Sequence, residues 1–132
     1  MTYEQLRATI IGRMLAFDGI EQSRIDYQNP VVRFSAPEQG LWCRLTIETV
    51  KPVVSGLCEP STRVPGNIII QCFDKAKSQA PTLELIKLTD KLIEHFQFWE
   101  TEGLVCREAR VINVGNSDEY SQANVLIYFI TW

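Results

Sequence analysis

The residues of this chain that could carry out chemistry are few and widely spaced. His95 is the only histidine, and it falls at the polar edge of a predicted helix beside Glu94. No cysteine or acid accompanies it at the spacing of a metal site, and a lone helical histidine is much more often a solvated side chain than a ligand or a general base. The sequence therefore predicts neither a metal centre nor acid–base catalysis at His95.

The four cysteines offer thiols without a base. Cys43, Cys72 and Cys106 lie in apolar strand patterns, where a free cysteine behaves as a small buried hydrophobe. Cys58 lies in a loop and could act as a nucleophile, but it would need a base, and His95 is the only imidazole. We expect the cysteines to stay reduced, and we expect neither a metal nor a cofactor.

Serine chemistry, carboxylate chemistry and phosphate binding receive no better support. No nucleophile-elbow sequence surrounds the loop serines, and none of the seven glycines follows a strand and opens a helix as a phosphate site requires. Glu108, Asp118 and Glu119 border a predicted hairpin and could in principle form an acid–base pair. Their more ordinary role is to keep a turn and a strand solvated, so the sequence does not predict an enzyme.

Length and charge limit the remaining possibilities. The chain has 132 residues, a length that predicts a single domain, residues 1–132, large enough to bury a core. Its net charge is −3. An acidic chain lacks the positive surface that binds a phosphate backbone, so nucleic-acid binding is disfavoured. The first residues lack a signal-peptide pattern and the apolar runs are too short to span a bilayer, so we expect a cytoplasmic protein with no membrane partner.

Two helices are predicted. Thr2 and Gln5 form a capping box that begins the first helix, which runs from residue 3 to about residue 17. Ile11 and Leu15 widen its apolar stripe, and they either pack deeply or contact a neighbouring subunit. The second helix begins after Thr82, ends near residue 98 and has an apolar arc suited to packing on a sheet. The stripe of the first helix is formed by Tyr3, Leu6, Ile10, Met14 and Phe17.

The strand patterns are interrupted by one long irregular segment. Strands are predicted at residues 31–34, 41–50 and 68–73, and the alternation over 41–50 places Leu41, Cys43, Leu45 and Ile47 on the core side. Residues 51–67 contain three prolines and two glycines, which argue against a helix or a tight hairpin. We interpret this segment as a projecting arm, which is either a contact site or a mobile surface loop.

The C-terminal pattern carries the strongest structural signal. Residues 103–132 have the pattern of two long strands joined by a polar turn at residues 115–119. The closing strand is apolar on both faces, whereas a strand in an antiparallel sheet usually has one wet face, so it must be covered twice. If both helices lie on one side, another subunit must cover the other side. One face comprises Ala123, Val125, Ile127 and Phe129, and the other comprises Leu126, Tyr128, Ile130 and Trp132.

Together these elements predict an α+β domain. Its mixed, largely antiparallel sheet of about four to five strands carries two helices packed on one face and a long projecting loop or hairpin arm. The chemistry is sparse and the apolar surface is large, so the pattern favours assembly over catalysis. The predicted protein interface consists of Ile11, Leu15, Arg44, Glu48, Lys51, Glu59, Arg63, Leu126, Tyr128 and Trp132.

Five segments in order along the chain carry a resemblance to a known family. They are MTYEQLR at 1–7, LWCRL at 41–45, GNIIIQCF at 66–73, LTDKLI at 88–93 and QANVLIYF at 122–129. In hydrophobicity and order the chain resembles the tail terminator proteins of long-tailed bacteriophages, also called minor tail or tail completion proteins. The resemblance implies a homo-oligomeric ring of six subunits that caps the tail tube, stops polymerisation of the tube protein and offers a surface to the head–tail connector protein. It also implies assembly in the host cytoplasm and a final location in the virion tail.

A second class of function remains open at the level of sequence. A small α+β domain with an apolar sheet face could enclose a ligand, with Trp42, Leu126, Tyr128 and Trp132 lining the pocket. A specific pocket needs a few convergent polar groups, and this face offers mainly those of Arg44, Thr46 and Glu48. The low polarity of the face favours a protein interface over a ligand site.

Overall fold

The architecture is α+β, as predicted, with two helices and a seven-stranded mixed sheet. The structure is a computed structural model, and it describes residues 1–56, 61–75, 82–116 and 120–132. The predicted sites at Cys58, Glu59, Asp118 and Glu119 lie outside the described residues. Most of the predicted turn at 115–119 lies outside them too.

The sheet is larger than the four to five strands predicted. Its order is β1-β2-β4-β7-β6-β5, with β3 paired to β4 alone, and every pairing is antiparallel except that of β1 with β2. The additional strands have two or three residues, too few for an alternating pattern to be recognised in sequence. The strands are β1 (Ile25–Asp26), β2 (Leu41–Thr49), β3 (Val53–Ser55), β4 (Ser61–Asp74), β5 (Glu100–Thr101), β6 (Leu104–Asn116) and β7 (Ser121–Thr131).

Both predicted helices are present and begin at the predicted caps. In α1 (Tyr3–Leu15) the Thr2 hydroxyl accepts the Gln5 amide at 3.1 Å, and the Gln5 side chain accepts the Thr2 amide at 2.8 Å. In α2 (Leu83–Phe96) the Thr82 hydroxyl accepts the Leu85 amide at 3.1 Å. Each helix ends about two residues before its predicted end. Phe17 continues the apolar stripe of α1 and packs on the core outside the helix, whereas Phe98, after α2, has a positive φ of 61° and is 69% exposed.

The core lies between the helices and one face of the sheet, which we call the inner face. The buried residues of both helices join a single cluster with alternate residues of β2, β4 and β7. Tyr3 was predicted to lie in the α1 stripe, but its side chain is 58% exposed. The helix residues of the cluster are Leu6, Ile10, Met14, Leu85, Leu88, Leu92 and Phe96, and the sheet residues include Cys43, Leu45, Ile68, Ile70, Val125, Ile127 and Phe129.

The strand predicted at residues 31–34 is wrong. Val31 and Val32 are exposed, and the Val31 amide donates to the Asn29 side chain at 3.0 Å, a local turn that competes with strand pairing. The place beside β2 is taken instead by β1, which pairs in parallel with Cys43 and Arg44. A two-residue parallel strand has no periodic signature, so only the folded chain shows which segment takes this edge.

The predicted arm at residues 51–67 is only partly correct. Val53–Ser55 pairs with Ser61–Arg63 in a two-stranded hairpin, and its described residues are exposed. From Val64 onward, however, β4 runs inside the main sheet and pairs with β7. The projecting part is therefore the hairpin at residues 51–63, which we call the arm.

Pro65 and Gly66 are tolerated in β4 because of where they lie. The Pro65 carbonyl accepts the Val50 amide at 2.9 Å, so the backbone side that lacks an N–H faces the end of β2 rather than β7. Gly66 lies between Thr49 and Phe129, where an added Cβ would overlap the Glu48 carbonyl oxygen and the Phe129 ring. Both residues therefore fit a strand although each is a common strand breaker.

Candidate interaction surfaces

The two faces of β7 have different environments. On the inner face Val125, Ile127 and Phe129 have no solvent exposure. On the opposite face, which we call the outer face, Leu126 and Ile130 are half-buried and Tyr128 is 37% exposed. The helices contribute their buried residues to the inner face, so neither helix covers this strand a second time.

Neighbouring strands extend the apolar surface around Leu126. Ile69 of β4 lies opposite Leu126, and Pro65 lies opposite Ile130. On the other side of β7, Val105 of β6 also lies opposite Ile130. These half-buried side chains form what we call the outer-face band, which comprises Pro65, Ile69, Val105, Leu126, Tyr128 and Ile130.

An aromatic cluster covers the outer face at the end of the sheet near Asp74. The Trp42 ring stacks on Phe73 with centroids 4.2 Å apart, and Phe34 and Tyr120 lie against this pair at 5.5 Å and 5.3 Å. Arg44 lies over the Trp42 ring, 5.4 Å from its centroid. Trp42 is consequently buried, and it does not join Leu126 and Tyr128 in the open pocket considered as an alternative.

Arg44 already has partners within its own chain. Its Nε lies 3.1 Å from Asp26 Oδ2, and the Asp26 Oδ1 accepts the Gln28 amide at 2.8 Å. Arg44 thus ties β1 to β2 and covers the aromatic cluster. The sequence placed Arg44 in the interface. In the structure its side chain is 39% exposed and stabilises its own subunit.

The other predicted interface residues are dispersed over the surface. Glu48, Lys51 and Arg63 are exposed at the end of the sheet that carries the arm. Leu15 is 57% exposed on α1, and Ile11 is half-buried against the core. Glu48 lies in one cross-strand row with Tyr128, because Asn67 lies opposite both residues. On the arm, Val53 and Val54 are exposed apolar residues.

Trp132 lies beyond the last residue of β7 and beside the N-terminus. Its amide donates to the Gly103 carbonyl at 3.1 Å, and its carbonyl accepts the Met1 amino group at 3.1 Å. The residue is 50% exposed and lines a cavity of about 510 Å³ together with Gln5 and Thr9. The sequence pattern placed Trp132 on the same face as Tyr128. In the structure Trp132 lies beside Met1 and Gly103.

A cleft opens between α1 and the edge of β2. Its volume is about 370 Å³, within the range of small-molecule and peptide sites. Leu6, Ile11, Leu45 and Ile47 supply its apolar wall, and Arg7 is its only charged lining residue. Tyr3, Tyr27, Gln28, Thr46 and Thr49 complete the lining.

Tyr27 and Gln28 hold the polar side of this cleft. The Tyr27 hydroxyl donates to the Gln22 side chain, and burial raises the pKa of Tyr27 to about 12, so the phenol is neutral at physiological pH. Gln28 has a positive φ of 55°, which is uncommon for a residue other than glycine, and its Nε2 donates to the Leu45 carbonyl at 3.0 Å.

His95 is a structural residue and not the solvated side chain that the sequence suggested. Its Nε2 hydrogen-bonds the Arg13 carbonyl at 2.7 Å, and Arg13 Nε donates to the His95 carbonyl at 3.1 Å. Burial lowers the pKa of His95, the Arg13 guanidinium lowers it further, and the hydrogen bond and Asp18 act in the opposite direction. The neutral ring therefore joins α1 to α2.

The three described cysteines are buried, as predicted, and each is a free thiol. The hydrogen bond with Cys43 and burial together raise the pKa of the Cys72 thiol, and burial raises the pKa of Cys106 to about 12. Because the thiolate is the reactive form, Cys72 and Cys106 are poor nucleophiles.

The described residues contain neither a cluster of metal ligands nor a membrane-spanning helix. No three His, Cys, Asp or Glu side chains in this part of the chain lie together as metal ligands would. No helix among the described residues is long and apolar enough to cross a membrane. Neither the models of known protein families nor the curated proteins give a match to the chain.

Sequence reasoning missed the cleft and the residues that form its polar side. Arg7 interrupts the apolar stripe of α1 and thus gave a weak signal. Tyr27 and Gln28 gave none, because their positions depend on β1 pairing with β2 and on a hydrogen bond to Leu45. No local pattern encodes these contacts.

Proposed function

We propose that this protein is a structural component of a bacteriophage tail that forms a ring, six-membered as the resemblance implies, on the end of the tail tube. In this role it ends polymerisation of the tube protein and offers a surface to the head–tail connector protein. It assembles in the host cytoplasm, remains in the virion tail and has no enzymatic activity. Its partners are further copies of itself, the tube protein and the connector protein.

The observation that carries this proposal is the outer-face band of the central strand β7. Tyr128 is 37% exposed on a strand whose other face is buried, and the half-buried aliphatic side chains of Leu126 and Ile130 flank it along the same face. Exposed apolar patches rimmed by polar residues commonly mark protein interfaces. A cyclic ring uses a head-to-tail contact between two different patches, and the exposed arm supplies a second patch.

Two neighbouring residues of β7 allow assembly to be separated from stability. Tyr128→Ala removes a large anchor from the outer face, and a central aromatic of this kind can contribute about 2 kcal/mol or more to an interface. We expect loss of rings in sedimentation velocity and in electron microscopy with tail tubes, with little change in the melting temperature of the monomer.

Ile127→Ala is the matched control because Ile127 lies one residue away on the inner face with no exposure. It should destabilise the monomer by about 2–5 kcal/mol. The proposal fails if Tyr128→Ala leaves ring formation on tubes intact while it sharply lowers the melting temperature, because Tyr128 would then be part of the core of its own subunit.

A further inference from the structure

The cleft beside α1 adjoins a part of the β2 edge with which no described strand pairs. Gln28 Nε2 donates to the Leu45 carbonyl from the β1 side, whereas the Val50 amide donates to Pro65 on the β4 side. Backbone groups along a strand alternate between its two sides. The N–H and C=O groups of Ile47 and Thr49 therefore point away from β4, as those of Leu45 do.

These groups have no strand beside them among the described residues. β1 pairs with β2 only at Cys43 and Arg44, so the edge is open from Ile47 onward. An open edge of this kind is a template for pairing with another extended chain. The side chains of Leu45 and Ile47 line the adjoining cleft, which can receive alternate side chains of the added strand.

We propose that this cleft binds an extended acidic segment of a partner protein, which adds to β2 as a strand. Its backbone pairs with Ile47 and Thr49, and its apolar side chains, at every second position, enter the space between α1 and β2. Main-chain pairing supplies affinity and the pockets for alternate side chains supply specificity in this mode of recognition.

The charge of the cleft identifies the chemistry of the segment. Among the described residues that line the cleft, Arg7 is the only charged one. It is exposed and forms no ion pair with another described residue. A carboxylate placed opposite it gains a charge-assisted hydrogen bond. We therefore expect an Asp or Glu among the apolar residues of the bound segment.

A second copy of this chain fits the cleft less well. Its β3, with the sequence VVS, and residues 110–116 of β6, with the sequence RVINVGN, contain no carboxylate. The open edge of β2 contains Glu48, but Glu48 lies opposite Asn67, which lies opposite Tyr128, so its side chain is on the outer face and away from the cleft. The acidic segment accordingly comes from a different protein, and this contact does not depend on ring formation.

The test uses the full chain and a yeast-displayed library of random peptides of about ten residues. We expect selection to enrich peptides with an Asp or Glu and with apolar residues at alternate positions.

In titration calorimetry, Arg7→Glu should weaken binding of a synthetic consensus peptide by about tenfold or more. Replacing the peptide's acid with Lys should restore binding to this variant. Arg107→Glu makes the same change of charge on an exposed residue of β6 and should leave affinity unchanged.

Backbone pairing has a readout that does not require a variant protein. N-methylation at alternate positions of the peptide should abolish binding, and N-methylation at the intervening positions should not, because only every second amide faces β2. Thr49→Pro removes one outward N–H without removing a bond to β4, and it should weaken binding by about tenfold while circular dichroism shows an unchanged fold.

Four results would overturn the proposal. They are failure of the library to enrich any sequence, binding that is insensitive to Arg7→Glu, loss of affinity without the alternating N-methyl pattern, and peptide-free self-association that Arg7→Glu abolishes. The last result would show that the occupant is a second copy. Binding of dodecanoate in titration calorimetry, without peptide enrichment, would instead identify an amphiphile site.

Discussion

His95 is the clearest example at the residue scale of a side chain whose role depends on its contacts. The sequence presents a lone histidine on the polar edge of a helix. In the folded chain its ring lies 5.2 Å from the Phe17 ring, and Arg13 and His95 exchange hydrogen bonds between the two helices. A residue that looked suited to solvent or chemistry therefore holds two elements together.

This environment predicts a pH dependence of stability. The pKa of His95 is lowered in the folded state from about 6.5 in an unfolded chain, so below pH 6.5 the unfolded state binds the proton first. Stability should fall as pH is lowered through 6.5 towards the folded-state pKa. We expect urea denaturation between pH 7 and pH 5.5 to show this loss, and His95→Gln to reduce it.

The difference between the wild type and His95→Gln reports on His95 alone, because the chain has one histidine and carboxylates titrate mainly below this pH window. Equal pH slopes for the wild type and His95→Gln would contradict a lowered pKa of the His95 ring.

At the scale of elements, β4 shows how position within a sheet can override the preference of a residue. Pro65 and Gly66 interrupt the sequence pattern, and the sequence accordingly predicted a strand that begins only after them, at residue 68. The structure continues the strand through both residues. The Pro65 nitrogen, which has no hydrogen to donate, faces the end of β2 and not β7, and Gly66 has no side chain that would overlap the Phe129 ring. The two residues are thus suited to the point where three strands meet.

Gly66→Ala should therefore destabilise the subunit. Its Cβ would overlap backbone at Glu48 and a ring at Phe129, and overpacking of this kind costs about 1–3 kcal/mol. Urea denaturation should show this loss as a lower transition midpoint.

Gly12→Ala provides the opposite control. Gly12 is exposed within α1 and an added Cβ meets nothing within 4 Å, so alanine should stabilise the helix by roughly 0.5–1 kcal/mol. If Gly66→Ala unfolds at the same urea concentration as the wild type, the close approach is not a packing constraint.

At the scale of the whole molecule, two helices cover one face of a seven-stranded sheet. The inner face is closed, while the outer-face band, the arm and the cleft remain accessible. These surfaces lie on different parts of the subunit, which suits a protein that contacts several neighbours at once.

The arm provides the whole-molecule prediction. Replacing residues 52–63 with Asn-Gly connects Lys51 to Val64 next to the existing Val50–Pro65 hydrogen bond, and this dipeptide favours a tight hairpin. The melting temperature of the monomer should stay close to the wild-type value because an exposed two-stranded hairpin contributes little stability. Ring formation or tail termination should be lost.

Hydrogen exchange supplies the decisive comparison for the same segment. Residues 53–63 should exchange rapidly in a verified monomer and slowly in the assembled protein, because docking orders them. Strong protection in the monomer would assign the arm to the core of its own subunit and remove its contact role.

The sequence by itself determined the features that depend on local periodicity and local chemistry. The helix starts at Thr2 and Thr82, the α+β class, the two long C-terminal strands and the burial of Cys43, Cys72 and Cys106 follow from caps and alternating patterns, and the structure confirms them. Only the tertiary structure decided the rest. Parallel pairing of β1 with β2, the continuation of β4 through Pro65, and the contact between Arg13 and His95, which lie 82 residues apart, depend on which distant segments become neighbours. A sequence pattern specifies which side of an element is apolar, but the open edge of β2 and its cleft exist only because no described strand continues beside Ile47.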